Sequence, residues 1–251
     1  MSDLANVIKL DQAMTSLILR WVNSGYYSIM SNLVSIEQAI TFLGHRTVQN
    51  LVLSASIASY MNQPLPGYEL EKGELWKRSV GMAAGAKLII QDNYPDLIED
   101  AYYAGLFCDI GKLAFHVLVK KINIDWEIIG DTPFHIIEQQ LFGYDHATVG
   151  AAIVQRWNLA NHLTELIQFH HSPSEVNEKW RAVAYAVHAA DAVMMMFGIG
   201  TGLDSLQYAL DPVTLTIFNC NEDSLSEIYD RLSPIIEESN TFIDSYKTTS
   251  Q

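Results

Sequence analysis

Residues 101–115 read AYYAGLFCDIGKLAF, and within them a thiol and a carboxylate stand side by side at Cys108 and Asp109. At helical spacing Gly105, Cys108, Asp109 and Lys112 share one face, and Gly105 leaves that face open to a neighbouring helix. A carboxylate beside a small soft side chain suits ligation of a divalent cation. It suits equally a carboxylate that caps or bonds nearby backbone.

Four further polar residues fall where apolar ones are expected. His146 follows Asp145, a good N-cap, and shares a side with Val149, Gly150, Ile153 and Trp157, so its imidazole points inward. His170 and His171 close a helix carrying Leu163, Leu166 and Ile167, where a histidine can also do no more than complement the helix dipole. Asp191 lies on the stripe Ala184, Val187, His188 and Val193 to Met195, where an unpaired carboxylate costs several kcal/mol unless it finds a cation or donors. Carboxylates and imidazoles from four helices are what a hard or borderline divalent cation in a bundle core requires.

The elements that must position these groups are helical. Apolar positions recur at helical spacing almost throughout, and strand-like alternation with hairpin turn pairs is missing, so the predicted fold class is all-α. Met14, Leu17, Ile18 and Trp21 form a stripe after Asp11, with Gly25 as a stop; Ser35 and Gln38 open a second helix ended by Gly44; Val48, Leu51, Val52 and Ala55 mark a third. Further helices are predicted over 74–91, 98–121, 133–141, 145–157, 160–171, 179–196 and 222–247. Three glycines between Gly198 and Gly202 predict a loop. The breakers in Asn62-Gln63-Pro64-Leu65-Pro66-Gly67 predict a boundary between an N-terminal helical subdomain, 1–63, and a larger one, 64–251.

Composition narrows the partners. Apolar types make up 49% and charged types 18% of the 251 residues, which predicts a compact ordered chain. A formal charge of −14 repels phosphate backbones and anionic membrane surfaces, so neither nucleic acid nor membrane is an expected partner. Two cysteines, Cys108 and Cys220, cannot build a disulfide framework, and neither a signal peptide nor a transmembrane-length stretch is read, so a cytoplasmic location is expected. Met194-Met195-Met196-Phe197 reads as core or as partner surface, Tyr26-Tyr27 is equally open, and the stretch Glu237 to Asn240 reads as a solvated helix face.

The ordered segments LDQAMTSLILRWVNSGYY, SIEQAITFLGHRTVQNLVLS, LWKRSVGMAAGAKL, AGLFCDIGKL, LFGYDHATVGAAIVQRW, FHHSP and HAADAV resemble the HDOD domains, relatives of the HD and HD-GYP metal-dependent phosphohydrolases, over about residues 5–195. The resemblance implies a multi-helix HD-like bundle with an N-terminal helical subdomain, together one HDOD module. It implies that an intact HD site would have His at Arg78 and Cys108, followed by Asp109, His146, His170, His171 and Asp191, with Lys112 available for phosphate. The GYP tripeptide of the cyclic-dinucleotide phosphodiesterases is absent from HHSPSEVNEKW.

Arg78 cannot ligate a metal, because guanidinium has five donors and no acceptor. It can instead pair with Asp109 and Asp191 and take over the charge of a lost ion. Cys108 as thiolate would still suit zinc or iron. The expectation is therefore a bacterial signal-transduction module that acts by binding, with a degenerate site, signalling proteins as partners in trans and a small molecule or nucleotide as a candidate ligand. No cofactor is expected, although Asp109, His146, His170 and His171 could hold a single Zn, Fe, Mn or Ni ion. A phosphodiesterase-like hydrolase using that one subsite is the alternative; a cluster that only fixes helix packing is the third reading.

Overall fold

The structure is a computed structural model and describes residues 2–23, 33–122, 132–203, 210–219 and 221–249. Tyr26, Tyr27, Gly25 and Cys220 lie outside the described residues. The described residues form α-helices and short 3-10 turns with no strand among them, only an isolated bridge between Leu65 and Leu70. The chain divides into two compact units, Met1–Tyr60 with Glu237–Gln251, and Met61–Ile236. Beside the expected division of 1–63 from 64–251, this grouping passes from one unit to the next at Tyr60–Met61 and places the last turns of the final helix with the first unit.

The first unit holds α1 (Ser2–Lys9), α2 (Gln12–Val22), α3 (Ile36–Leu43) and most of α4 (His45–Met61). Asp11 caps α2 by accepting the Met14 N–H at 2.9 Å, and Ser35 caps α3 by accepting that of Gln38. Gly44 ends α3 at φ 84°, a conformation that favours glycine. Leu17, Ile18, Val22, Ile36 and Ile40 are buried, the apolar stripes facing one another.

The second unit holds α5 (Glu74–Ile90), α6 (Ile98–Phe107), α7 (Lys112–Val119), α8 (Phe134–Phe142), α9 (His146–Arg156), α10 (Asn161–Gln168), α11 (Arg181–Met196), α12 (Pro212–Ile217) and the start of α13 (Glu222–Thr249). Helix α5 packs along α6 and α11 and is buried nearly all round, which its small residues permit. A Cβ on Gly105 would stand 2.6 Å from the Met82 carbonyl oxygen, so α6 meets the α5 backbone directly. The run Pro95–Val119 is, against expectation, long and apolar enough to cross a membrane by length and composition, but 72% of its most apolar window is buried in this fold.

Two predicted helices are corrected at the site. The helix expected over 98–121 is interrupted: α6 ends at Phe107, and Cys108–Gly111 form turns before α7. There Ile110 N–H bonds the Phe107 carbonyl and Lys112 N–H that of Asp109, both at 3.0 Å, a tighter 3-10 winding. The break has a packing cause, since a Cβ on Gly111 would lie 1.9 Å from the His146 carbonyl oxygen. The helix expected over 160–171 ends at Gln168, which leaves His170 and His171 in the following turn.

Candidate functional site

Each functional side chain comes from a different local device. Arg78 lies mid-way along α5, Asp109 in the turn between α6 and α7, Lys112 at the start of α7, His146 at the start of α9, the paired histidines after α10, and Asp191 within α11. Asp145 caps α9 through the Thr148 N–H at 2.7 Å and so fixes where His146 begins its helix. Arg78, Asp109, Lys112, His146, His170 and Asp191 are all buried, while His171 is partly exposed.

Asp109 divides the site. Its Oδ2 accepts from Arg78 Nε at 2.9 Å, and Arg78 Nη2 donates to Asp191 Oδ1, so one guanidinium joins the two carboxylates. Its Oδ1 faces the other way, 2.9 Å from Lys112 Nζ, 3.4 Å from His146 Nε2 and 3.9 Å from His170 Nε2. The guanidinium half and the imidazole half meet at this carboxylate. Arg78 thus reaches both aspartates.

In the imidazole half the three histidines present one ring nitrogen each within 4.8 Å of one another. His170 Nδ1 bonds the Ile167 carbonyl at 2.7 Å, so the helix-terminus reading holds for one edge of that ring. Its Nε2 is buried and has no hydrogen-bond partner. His171 Nε2 and His146 Nε2 approach to 3.1 Å. Asp191 does not join this group, since it serves Arg78, and Cys108 does not either: its Sγ turns to the Gly105 carbonyl at 3.1 Å and to Met82 Sδ. Lys112 is buried against Asp109 and lies over the Tyr68 ring rather than standing ready in solvent.

Electrostatics follow from this placement. Burial raises the Asp109 carboxyl, but Lys112, the His146 contact and Arg78 outweigh it and hold it well below the usual range. Asp191 is pushed up, because burial outweighs its share of Arg78. Burial opposes charge on His146 too, yet Glu138 and Asp109 on either side raise it to about 10. Burial lowers His170 to about 3 and His171 well below its ordinary value. The cluster therefore combines a charged imidazole with two neutral ones. Burial, then Asp109 and Asp191, keep Cys108 a thiol, so in the native protein it is expected to resist a thiol reagent such as dithiobis(nitrobenzoate), with full labelling only after denaturation; labelling of the folded chain would contradict its placement.

Sequence reasoning missed Glu138 and Tyr68. Glu138 Oε2 accepts the backbone N–H of His146 at 2.8 Å and meets its Nδ1 at 2.7 Å, while Tyr68 donates to Glu138 Oε1. No residue-type signal pointed to Glu138, because one of its partners is the backbone N–H of His146. His135 was missed as well; its ring stacks on His171 at 4.3 Å. Of the methionine run, Met194 is core, Met195 Sδ receives Arg78 Nη1 at 3.3 Å, Met196 is exposed, and Phe197 stacks on Tyr229.

The HDOD domain profile matches residues 1–173. The chain belongs to the HDOD domain family. Among solved structures, an HDOD domain protein of unknown function from Geobacter sulfurreducens superposes with TM-score 0.69 at 24% identity, covering 98% of this chain and 86% of its own. A Marinobacter aquaeolei VT8 protein assigned to signal transduction gives TM-score 0.71 at 18% identity over 100% and 55% of the two chains. A Shewanella amazonensis SB2B protein assigned as a phosphohydrolase gives 0.59 at 18% over 96% and 82%. These likenesses establish the HDOD fold. An uncharacterized Treponema pallidum (strain Nichols) protein is 28% identical over 76% of this chain, which spans only 37% of that relative's length.

The HD relatives imply a metal centre, and the two halves of this HDOD site fit one differently. In the guanidinium half the carboxylates of Asp109 and Asp191 are engaged by a permanent cation, so a paired-ion centre does not fit. In the imidazole half His146 and His170 have their Nδ1 edges held by Glu138 and the Ile167 carbonyl, the outer-shell pattern typical of metal-binding histidines, and the group would hold a single ion through Nε2 once His146 gives up its proton.

Proposed function

We propose that this HDOD protein is a cytoplasmic regulatory module of signal transduction that works by binding protein partners, and that its HD-type pocket is a charge-balanced core rather than a paired-metal hydrolase centre. HDOD membership supports a family-level regulatory or HD-like role. The observation that carries the finer reading is the buried guanidinium of Arg78 between Asp109 and Asp191. Two-metal hydrolysis would need these carboxylates as ligands for the ions that stabilise the attacking and leaving oxygens. Here those carboxylates are spent on an Arg whose charge cannot be lost. Chain partners would be signalling proteins, with a small molecule or nucleotide as a candidate ligand.

A second reading is favoured by the unpartnered Nε2 of His170. One Zn, Fe, Mn or Ni ion held by His146, His170 and His171 would supply Lewis acidity and a more acidic bound water. In that case Glu138 orients His146, the Ile167 carbonyl orients His170, and Lys112 with Arg78 keeps Asp109 in place.

The test is elemental analysis of protein purified without chelator or metal-affinity resin, paired with an assay on bis-p-nitrophenyl phosphate. The regulatory reading expects no hydrolysis above background. Stoichiometric metal together with hydrolysis that disappears in His171→Ala would replace it with the second reading. His171 is chosen because it is partly exposed and its ring nitrogen belongs to the cluster.

A further inference from the structure

The pocket's polar groups are also tied to two loops that bond each other. Tyr68 sits on the turn Leu65–Leu70, which is closed by reciprocal backbone bonds of 2.9 and 3.2 Å between its end residues. The side chain is fully buried, and its hydroxyl donates to Glu138 Oε1, whose other oxygen holds His146. His146 leads to Asp109, and Asp109 to Arg78. At the far end Arg78 Nη1 donates to the Ile199 carbonyl at 3.5 Å, and Gly200, at φ 58°, lies so close that a Cβ would stand 2.6 Å from Arg78 Cβ. The circuit then closes. Leu203 N–H donates to the Tyr68 carbonyl at 3.0 Å, and a Cβ on Gly202 would be 1.9 Å from the same oxygen.

The glycines explain why this loop can act as a tight cover. Gly200 adopts positive φ, and Gly202 lets the backbone rest on Tyr68. Any larger residue would hold the two loops apart. A buried chain of charged and polar groups with little slack transmits a change at one member to the next, because interiors are close-packed.

We propose that this ring of contacts is a conformational switch: a change of partner at His146 or Arg78 loosens or tightens the seam between residues 65–70 and 199–203. Both loops of the seam lie within the second unit. The proposal rests on the regulatory reading and names the regulation of that same pocket, from which the output is the seam.

The experiment is native-state amide hydrogen exchange on the full chain, comparing wild type with Tyr68→Phe, Glu138→Gln and Arg78→Lys. Tyr68→Phe removes one hydroxyl within the seam and leaves the carbonyl that Leu203 uses, whereas Glu138→Gln and Arg78→Lys change no residue of either loop, so an effect of these two on the Leu65 and Leu70 amides must travel through the ring of contacts. Loss of a hydrogen bond to a charged group is expected to accelerate exchange at Leu65, Leu70 and Leu203 about tenfold. The amide of His146 should respond in Tyr68→Phe by a similar factor, as coupling is reciprocal. Glu165→Ala, which loses a bond from the Asn177 N–H away from the seam, serves as control and should leave those amides unchanged. Unchanged seam exchange in Tyr68→Phe and in whichever of the other two variants folds overturns the switch, as does uniform acceleration across the unit. Metal content and hydrolysis decide the regulatory reading separately.

Discussion

Arg78→Ala is expected to lower the stability of the second unit by about 3–5 kcal/mol, read as a fall in melting temperature of about 6–20 °C. The reason is not the value of the ion pairs as such. A buried salt bridge is weak evidence of net stabilisation, because both partners lose water to form it. Removing Arg78 alone, however, leaves the buried Asp191 facing no guanidinium and strips Asp109 of its Oδ2 partner. Stranding a buried charge is the costly event. The double variant Arg78→Met with Asp191→Asn removes both sides of that half and is expected to be much milder than Arg78→Ala. If the two melt alike, Arg78 matters by its packing and not by its charge. Arg78→His adds a further arm, since it returns an acceptor to the position. Zinc at about 100 times its Kd should then raise stability by about 2.7 kcal/mol in the variant, with a smaller shift or none in wild type. An equal shift in both would mean that Arg78 never excluded an ion.

The comparison of sequence with structure separates what pattern can reveal from what only packing decides. The helices and their capping residues were legible because Asp11, Ser35 and Asp145 act within three residues of themselves. The inward polar residues were legible because each broke an apolar stripe, and Arg78 because it stood where the HDOD resemblance implies a ligand. The interruption at Cys108–Gly111 was not legible, since no helix breaker stronger than one glycine marks it. What breaks the helix there is the approach of the His146 carbonyl, a residue 35 positions on in the chain, to Gly111. The fate of Asp191 was half legible: a buried carboxylate demands a cation, but its identity as Arg78 rather than a metal shared with the histidines depended on three-dimensional placement. Glu138 was illegible for the same reason. Its partner is a backbone N–H at a helix start, and a backbone group leaves no trace in residue type.

Asp109→Ala is expected to be more damaging than any other single change at the site. Its carboxylate serves Arg78 through one oxygen and Lys112 through the other, with His146 beside the latter. Truncation takes from Lys112 its carboxylate and from Arg78, whose charge cannot be lost, one of its two, where Arg78→Ala leaves carboxyls that can still take up a proton. The losses share one pocket and do not simply add, yet a decrease above about 5 kcal/mol is expected. That approaches the whole stability of an ordinary domain, so the second unit should show no cooperative melting transition at 25 °C and above. Asp109→Asn separates the contributions, because its amide oxygen still accepts a hydrogen bond while the countercharge is gone. Asn is expected to fold but to melt well below wild type, and combining it with Lys112→Met should recover part of the loss by removing the cation that lost its partner. Should Asp109→Ala instead fold and melt within about 3 °C of wild type, the aspartate would not be the hub that joins the two halves, and the guanidinium and imidazole groups would have to be treated as independent sites.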